Sequence, residues 1–227
     1  MSGETPATAP HALLGGTFDP VHLGHVALAR DVARGLSLGR VTFVPAADPP
    51  HRSAPHASAR HRLAMVRLAV QHEPLLDVDD RELRRNGPSY TVDTLAELKR
   101  ERPLQPLALI VGADTFLGLP TWHRWRELFA LAHVVVVARP GVEWREAMPP
   151  ALAAEWQLRS RRGAHVLENP QGGSILEQPV VPHAVSASAI RERLAAGDMK
   201  AVRPWLAPPV LAYILDHHLY RSRTDVR

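Results

Sequence analysis

The chain has 227 residues, 45% hydrophobic and 22% charged, with no cysteine and a formal net charge of +4. That composition excludes a disordered or fibrous chain, a disulfide framework, thiolate metal sites and cysteine nucleophiles. The length suits one α/β domain, or one with an embellishment.

Residues 1–10, MSGETPATAP, have neither the basic start nor the apolar stretch of a signal peptide, and read as a flexible tail before a single domain over 11–221. Apolar β-rich runs then alternate with helical periodicity. Strands are predicted over 11–14, 41–44, 107–111 and 134–138, and helices over 23–34, 59–71, 91–100 and 122–131. Strand–helix alternation with crossovers gives an α/β fold, a doubly wound parallel sheet with helices on both faces. Over 142–182 the pattern weakens around one helix at 150–159, and this stretch reads as a variable insertion. Helices over 188–196 and 208–217 close the fold. No apolar run, 134–138 included, approaches the roughly 18 residues of a membrane span. All basic residues but Lys99 and Lys200 are arginine, scattered rather than set in a stripe with aromatics, so the expected partners are small phosphorylated ligands and not nucleic acid.

In such sheets ligands bind beyond the carboxyl ends of the strands. The first strand runs into GGTFDPVHLGH (15–25). Gly15 and Gly16 allow close approach of a ligand, Thr17 offers a hydroxyl, Phe18 an apolar wedge, and Asp19 with Pro20 a turn. His22 and His25 stand at a helix start, where exposed N–H groups favour an anion. The loop lacks the Lys-Ser/Thr of a Walker motif and the third glycine of a dinucleotide fingerprint. Zinc is disfavoured because the two histidines have no third ligand at a recognisable spacing, and no Gly-x-Ser-x-Gly elbow points to a serine nucleophile. Near the other end, VSASAIR (185–191) places Ser186 and Ser188 as caps or phosphate donors, Ile190 and Leu194 on an apolar face, and Arg191 as a fork for an oxyanion.

GGTFDPVHLGH resembles the HxGH signature of the nucleotidyltransferase superfamily, and VSASAIR resembles its second, Ser/Thr-rich Ile-Arg signature. Ser188 stands where Thr is common there, and Ala187 where Ser is frequent. Within the superfamily the chain is similar to nicotinate-nucleotide adenylyltransferases, through PPHR (49–52), SYT (89–91), GAD (112–114), PTWH (120–123) and ARPG (138–141). The resemblance implies a Rossmann-like nucleotidyltransferase fold in a cytoplasmic enzyme. The implied reaction is transfer of the adenylyl group of ATP to nicotinic acid mononucleotide, with Mg²⁺ carried mainly by substrate phosphates and no protein metal ligand. It implies direct in-line attack without a covalent enzyme intermediate.

By that resemblance the catalytic residues are His22, His25 and Arg191. ATP is implied to meet Gly15, Gly16, Thr17, Phe18, His22, His25, Ser186, Ser188, Ile190 and Arg191. The mononucleotide is implied to meet His51, Arg52, Tyr90, Thr91, Asp114, Trp122, His123 and Arg139. Trp122 is equally a candidate buried anchor, Tyr90 a helix-entry packing residue and Asp114 a cap. The alternatives are transfer of AMP or CMP to another phosphate, such as phosphopantetheine or glycerol phosphate, and a catalytically silent nucleotide-binding regulator. Oligomeric state does not follow from the sequence.

Overall fold

A computed structural model describes residues 9–48, 54–85, 87–138, 143–181 and 183–221. In chain order these form β1 (His11–Gly16), α1 (Leu23–Gly35), β2 (Arg40–Pro45), α2 (Ala59–Val70), β3 (Leu76–Val78), α3 (Arg81–Arg84) and α4 (Thr91–Glu101). There follow β4 (Leu107–Gly112), α5 (Ala113–Leu117), α6 (Leu128–Leu131), β5 (His133–Ala138), α7 (Pro150–Arg159), β6 (Ile175–Pro179), α8 (Ala187–Ala195), α9 (Met199–Val202) and α10 (Pro208–Asp216).

The six strands form one sheet in the order β3-β2-β1-β4-β5-β6, and every pairing is parallel. Strand order reverses between β1 and β4, and the loops leaving their carboxyl ends therefore diverge to opposite faces and leave a crevice. Alternation along the strands divides the core in two. Ala12, Leu14, Ala108, Ile110, Val135 and Val137 pack with α1, α2, α8 and α10 through Val26, Val66, Ile190 and Ile214. Leu13, Leu109, Val111, Val134 and Val136 pack on the other face with α4, α6 and α7 through Leu95, Leu128 and Leu152. Period-two alternation in strands buried on both sides is what a doubly wound sheet requires.

Three expectations are corrected. The helix predicted over 122–131 is broken: Trp122 is extended, Arg124 is left-handed (φ 51°), a 3-10 turn covers Trp125–Glu127, and only α6 is α-helical. The stretch 142–182 is more than an insertion, because β6 lies within it and pairs with β5 as the sheet edge. Its sequence, ILEQP, has two apolar residues followed by polar ones and a proline, which hides the strand. The boundary at His11 also moves: Ala9 and Pro10 are tied to the domain through carbonyls that accept from Gln105 Nε2 and the Gly39 amide, while 1–8 of the predicted tail lie outside the described residues.

Candidate active site

The loop after β1 is set by what lies beneath it. A Cβ on Gly16 would come within 2.9 Å of the Phe18 ring, so glycine leaves the room that ring occupies. Phe18 adopts φ 51°, unfavourable for a residue with a Cβ, and its ring is buried against Phe43 and edge-on to His25 at 5.2 Å. The Phe18 side chain thus supports the loop from below, and only the backbone of residue 18 is left to line the site. Asp19 is buried, and its carboxylate accepts from the amides of His56 (2.7 Å) and Ala57 (3.1 Å) and from the Tyr220 hydroxyl (2.7 Å). Burial and this carboxylate push the Tyr220 phenol far up, so it remains a donor.

Arg62, on α2, is 1% exposed and was invisible to sequence reasoning. It donates from Nη1 to Thr17 O (2.7 Å), from Nη2 to Ala47 O (3.2 Å) and from Nε to Ala57 O (3.2 Å). Burial pulls the guanidinium below its ordinary pKa, and the nearby Asp19 carboxylate works against that. A guanidinium is suited to this, because its planar fork serves several carbonyls at once.

His22 occupies the N-cap position of α1, and the first turn of that helix holds no acidic residue. Its amide donates to His25 Nδ1 at 3.2 Å, so neutral His25 carries its ring proton on Nε2. The two imidazoles stack at 3.7 Å. His22 is buried, and among the described residues its Nδ1 finds no hydrogen-bond partner. Burial, then the nearby His183, lowers it to about 4, so it is uncharged near neutral pH.

The second signature lands on the first. Ser186 caps α8 by accepting from the Ala189 amide, and Ser188 Oγ accepts from Arg191 Nη2 at 3.3 Å. Arg191 Nη1 donates to the Asp19 carbonyl at 2.7 Å. A Cβ on Gly24 would meet Val185 Cγ1 at 2.8 Å, so the segment entering α8 packs directly on the start of α1. Ile190 is 0% exposed and packs in the core, the apolar anchor expected of its helix face.

Beside this junction, at the β1/β4 crevice, is a cavity of about 440 Å³. Gly15, Gly16 and Thr17 form one wall, and Tyr90, Thr91, Asp114, Trp122 and His123 are among the residues of the others. Tyr90 stacks on His123 at 4.3 Å. Asp114 is exposed and makes no side-chain cap, because the helix it opens is led by Gly112. Trp122 is half-buried and reaches both the core and the cavity, so its two readings coexist. Thus five of the eight expected acceptor residues share one cavity, while His51, Arg52 and Arg139 lie outside the described residues. His22, His25 and Arg191 do not line it; they stand at its side, joined through the 15–19 loop. Among the described residues no cluster of three or more His, Asp or Glu side chains forms a metal seat.

The family model described as Cytidylyltransferase-like matches residues 13–193. A probable nicotinate-nucleotide adenylyltransferase of Halorhodospira halophila is 48% identical over 208 residues, covering 92% of this chain and 94% of that protein. One of the same name from Dechloromonas aromatica is 46% identical, covering 94% and 98%. The chain belongs to the nicotinate-nucleotide adenylyltransferase family. A solved structure of Plasmodium falciparum nicotinic acid mononucleotide adenylyltransferase complexed with NaAD superposes with a TM-score of 0.71, covering 93% of this chain and 97% of that one. At 15% identity this likeness speaks to the fold alone, and it agrees with the Rossmann-like sheet described above. No helix among the described residues is long and apolar enough to cross a membrane.

Proposed function

We propose that the protein transfers the adenylyl group of ATP to nicotinic acid mononucleotide, yielding nicotinic acid adenine dinucleotide and pyrophosphate. The observation that carries this reading is the wall at Gly15–Thr17, with the histidine-bearing N-terminus of α1 on one side and an aromatic-lined cavity on the other. An acceptor phosphate oxygen attacks the α-phosphorus of ATP. The new P–O bond forms as the α–β bridge breaks, and pyrophosphate leaves with the electron pair. Transfer of this kind needs placement and charge stabilisation more than covalent help from the protein.

In this reading His25 presents Nε2–H to the polyphosphate, and neutral His22 adds a second imidazole at the α1 N-terminus. Arg191, already held by the Asp19 carbonyl and Ser188, keeps further N–H groups for the same anion, and Ser186 and Ser188 are exposed beside it. Gly15, Gly16 and Thr17 carry the backbone between the two substrates. The nicotinate ring stacks with Trp122 and the Tyr90–His123 pair, while Thr91 and the backbone at His123 donate to its carboxylate. Asp114 faces the same cavity. His51, Arg52 and Arg139 are retained as acceptor-side residues on the family resemblance alone.

Mg²⁺ belongs to this reading as the counterion of the substrate polyphosphate. The one carboxylate of the signature, Asp19, is already filled by two amides and a hydroxyl, so the signature itself offers imidazoles and hydroxyls to the polyphosphate and no free carboxylate to a metal. A cytoplasmic location follows from the substrates, which are charged phosphates retained inside cells. The test is pyrophosphate release from ATP and Mg²⁺ with nicotinic acid mononucleotide, its amide counterpart or phosphopantetheine. The first acceptor is expected to be preferred, and no release with it refutes the proposal.

A further inference from the structure

One group on the cavity wall belongs to none of the motifs. Glu82, on the four-residue α3, is 7% exposed yet lines the cavity beside Ser89, Tyr90 and Thr91. Its Oε1 accepts from Thr94 Oγ1 at 2.7 Å, and the Ser89 hydroxyl faces the same carboxyl. Thr94 in turn accepts from Arg85 Nη2 at 3.3 Å, and Arg85 Nε reaches Glu97 Oε1 at 3.0 Å. Ser89 Oγ accepts from the Ala47 amide at 3.0 Å, and the Ser89 amide donates to Asp48 O at 3.1 Å.

These contacts have a common consequence. Tyr90 is the N-cap residue of α4 and makes no side-chain cap bond, so nothing in its own side chain fixes that helix start. Ser89 stands just before it and Thr94 one turn inside it. A single buried carboxyl bonds Thr94 and faces Ser89, and so sets the path of the turn that carries Tyr90 and Thr91 to the cavity. Burial raises the Glu82 carboxyl, and donors from Thr94 and Ser89 and the nearby Arg85 work against that rise. A carboxyl buried at such cost beside a site for an anion needs a compensating role.

We propose that Glu82 is a positioning residue for acceptor binding, acting through Ser89 and Thr94 on the Tyr90–Thr91 turn. The inference rests on the acceptor assignment above, and its test separates the two. KM values for nicotinic acid mononucleotide and for ATP, and kcat, are measured for wild type, Glu82→Ala, Glu82→Gln and Thr94→Val, with thermal melts alongside. Glu82→Ala is expected to raise the acceptor KM about tenfold while the ATP KM and kcat stay within about twofold. Glu82→Gln keeps a carbonyl acceptor for Thr94 and is expected to recover most of the loss. Thr94→Val, which preserves shape and removes the hydroxyl, is expected to raise the acceptor KM at least threefold.

An unchanged acceptor KM in Glu82→Ala overturns the inference. So does a rise in both KM values together, or failure of Glu82→Gln to recover any of the loss. Should Glu82→Ala fail to fold, Glu82→Gln and Thr94→Val carry the decision: a rise confined to the acceptor KM in Thr94→Val supports the role, and wild-type values in both variants overturn it. A wild-type protein that releases no pyrophosphate would sink the functional reading first, independently of Glu82.

Discussion

Replacing Arg62 with methionine removes a guanidinium that joins the 15–19 loop to Ala47 and Ala57, at the two ends of the segment between β2 and α2. The side chain is 1% exposed, so the guanidinium has no water of its own and depends on the three bonds it donates at 2.7–3.2 Å to the carbonyls of Thr17, Ala47 and Ala57. Summing three charge-assisted bonds at about 2 kcal/mol each overstates the effect, since the loops relax and methionine restores some apolar contact. Breaking a buried charge arrangement from one side costs about 3–5 kcal/mol, and Asp19 loses its nearby cation here. For a chain of this length that is a fall in Tm of about 10 °C, read by thermal and urea unfolding. Arg62→Lys is expected to recover less than half, because one ammonium cannot serve carbonyls lying in three directions. Stability of Arg62→Met within about 1 kcal/mol of wild type would refute the reasoning.

Other perturbations test the site and the core separately. His25→Ala is expected to lower kcat at least about 100-fold with an unchanged melt, measured by pyrophosphate release. Gly24→Ala places a methyl within 2.8 Å of Val185 Cγ1 and 3.1 Å of His22 Nδ1, and is expected to lower kcat about tenfold. Val185→Ala in the same chain should recover most of that loss if packing between the two signatures is the cause. His11 is lowered from 6.5 to about 4 by burial, then by Arg102 and Arg40, and bonds Thr42 at 2.7 Å. Its neutral form is the one the fold accepts, so its contribution is complete above pH 6.5 and fades as pH falls toward 4. By pH 5 roughly 2 kcal/mol is gone from this residue. His133, lowered chiefly by burial, accepts the Ser174 amide on Nδ1 and adds in the same direction. Urea unfolding at pH 7.5 and 5 should show the decline, with a smaller one in His11→Gln. A flat profile would contradict both assignments.

The parts of this protein that were readable in advance share a physical property: their side chains repeat. Strands such as Val134, Val135 and Val136, buried on both faces, announce themselves as unbroken apolar runs, and α1, α2 and α4 by three- and four-residue spacing. Leu76–Val78 is too short to show a period, and Ile175–Pro179 carries its register in two residues, so both edge strands were missed. The same logic separates the site residues. Glycines, paired histidines and the capped Ser-Arg turn leave local patterns, whereas Arg62 and Glu82 look like ordinary helix-surface charges. What makes them significant is burial among partners between 5 and 45 positions away, a relation that no window of sequence contains.

The distribution of these buried charges also bears on why the site is rigid where it is. Direct displacement on phosphorus demands that two substrates meet at a fixed distance and angle, and a misplacement of about 1 Å costs on the order of 100-fold in rate. The donor side is pinned at residue 19 from three directions: Arg191 on its carbonyl, Tyr220 on its carboxylate, and the amides of His56 and Ala57 on the same carboxylate. The acceptor side is pinned at Ser89, which grips the segment after β2, and that segment is bound in turn to Gly16 through the Ala46 amide at 2.9 Å. Donor and acceptor loops are therefore held to each other through short polar contacts at the strand ends, rather than through the apolar core. The prediction is directional: Tyr220→Phe on the donor side and Ser89→Ala on the acceptor side, which loosen a loop without touching a substrate contact, should each raise one substrate's KM in steady-state kinetics, whereas loss of Arg62, which holds Thr17 and Ala47 together, should raise both.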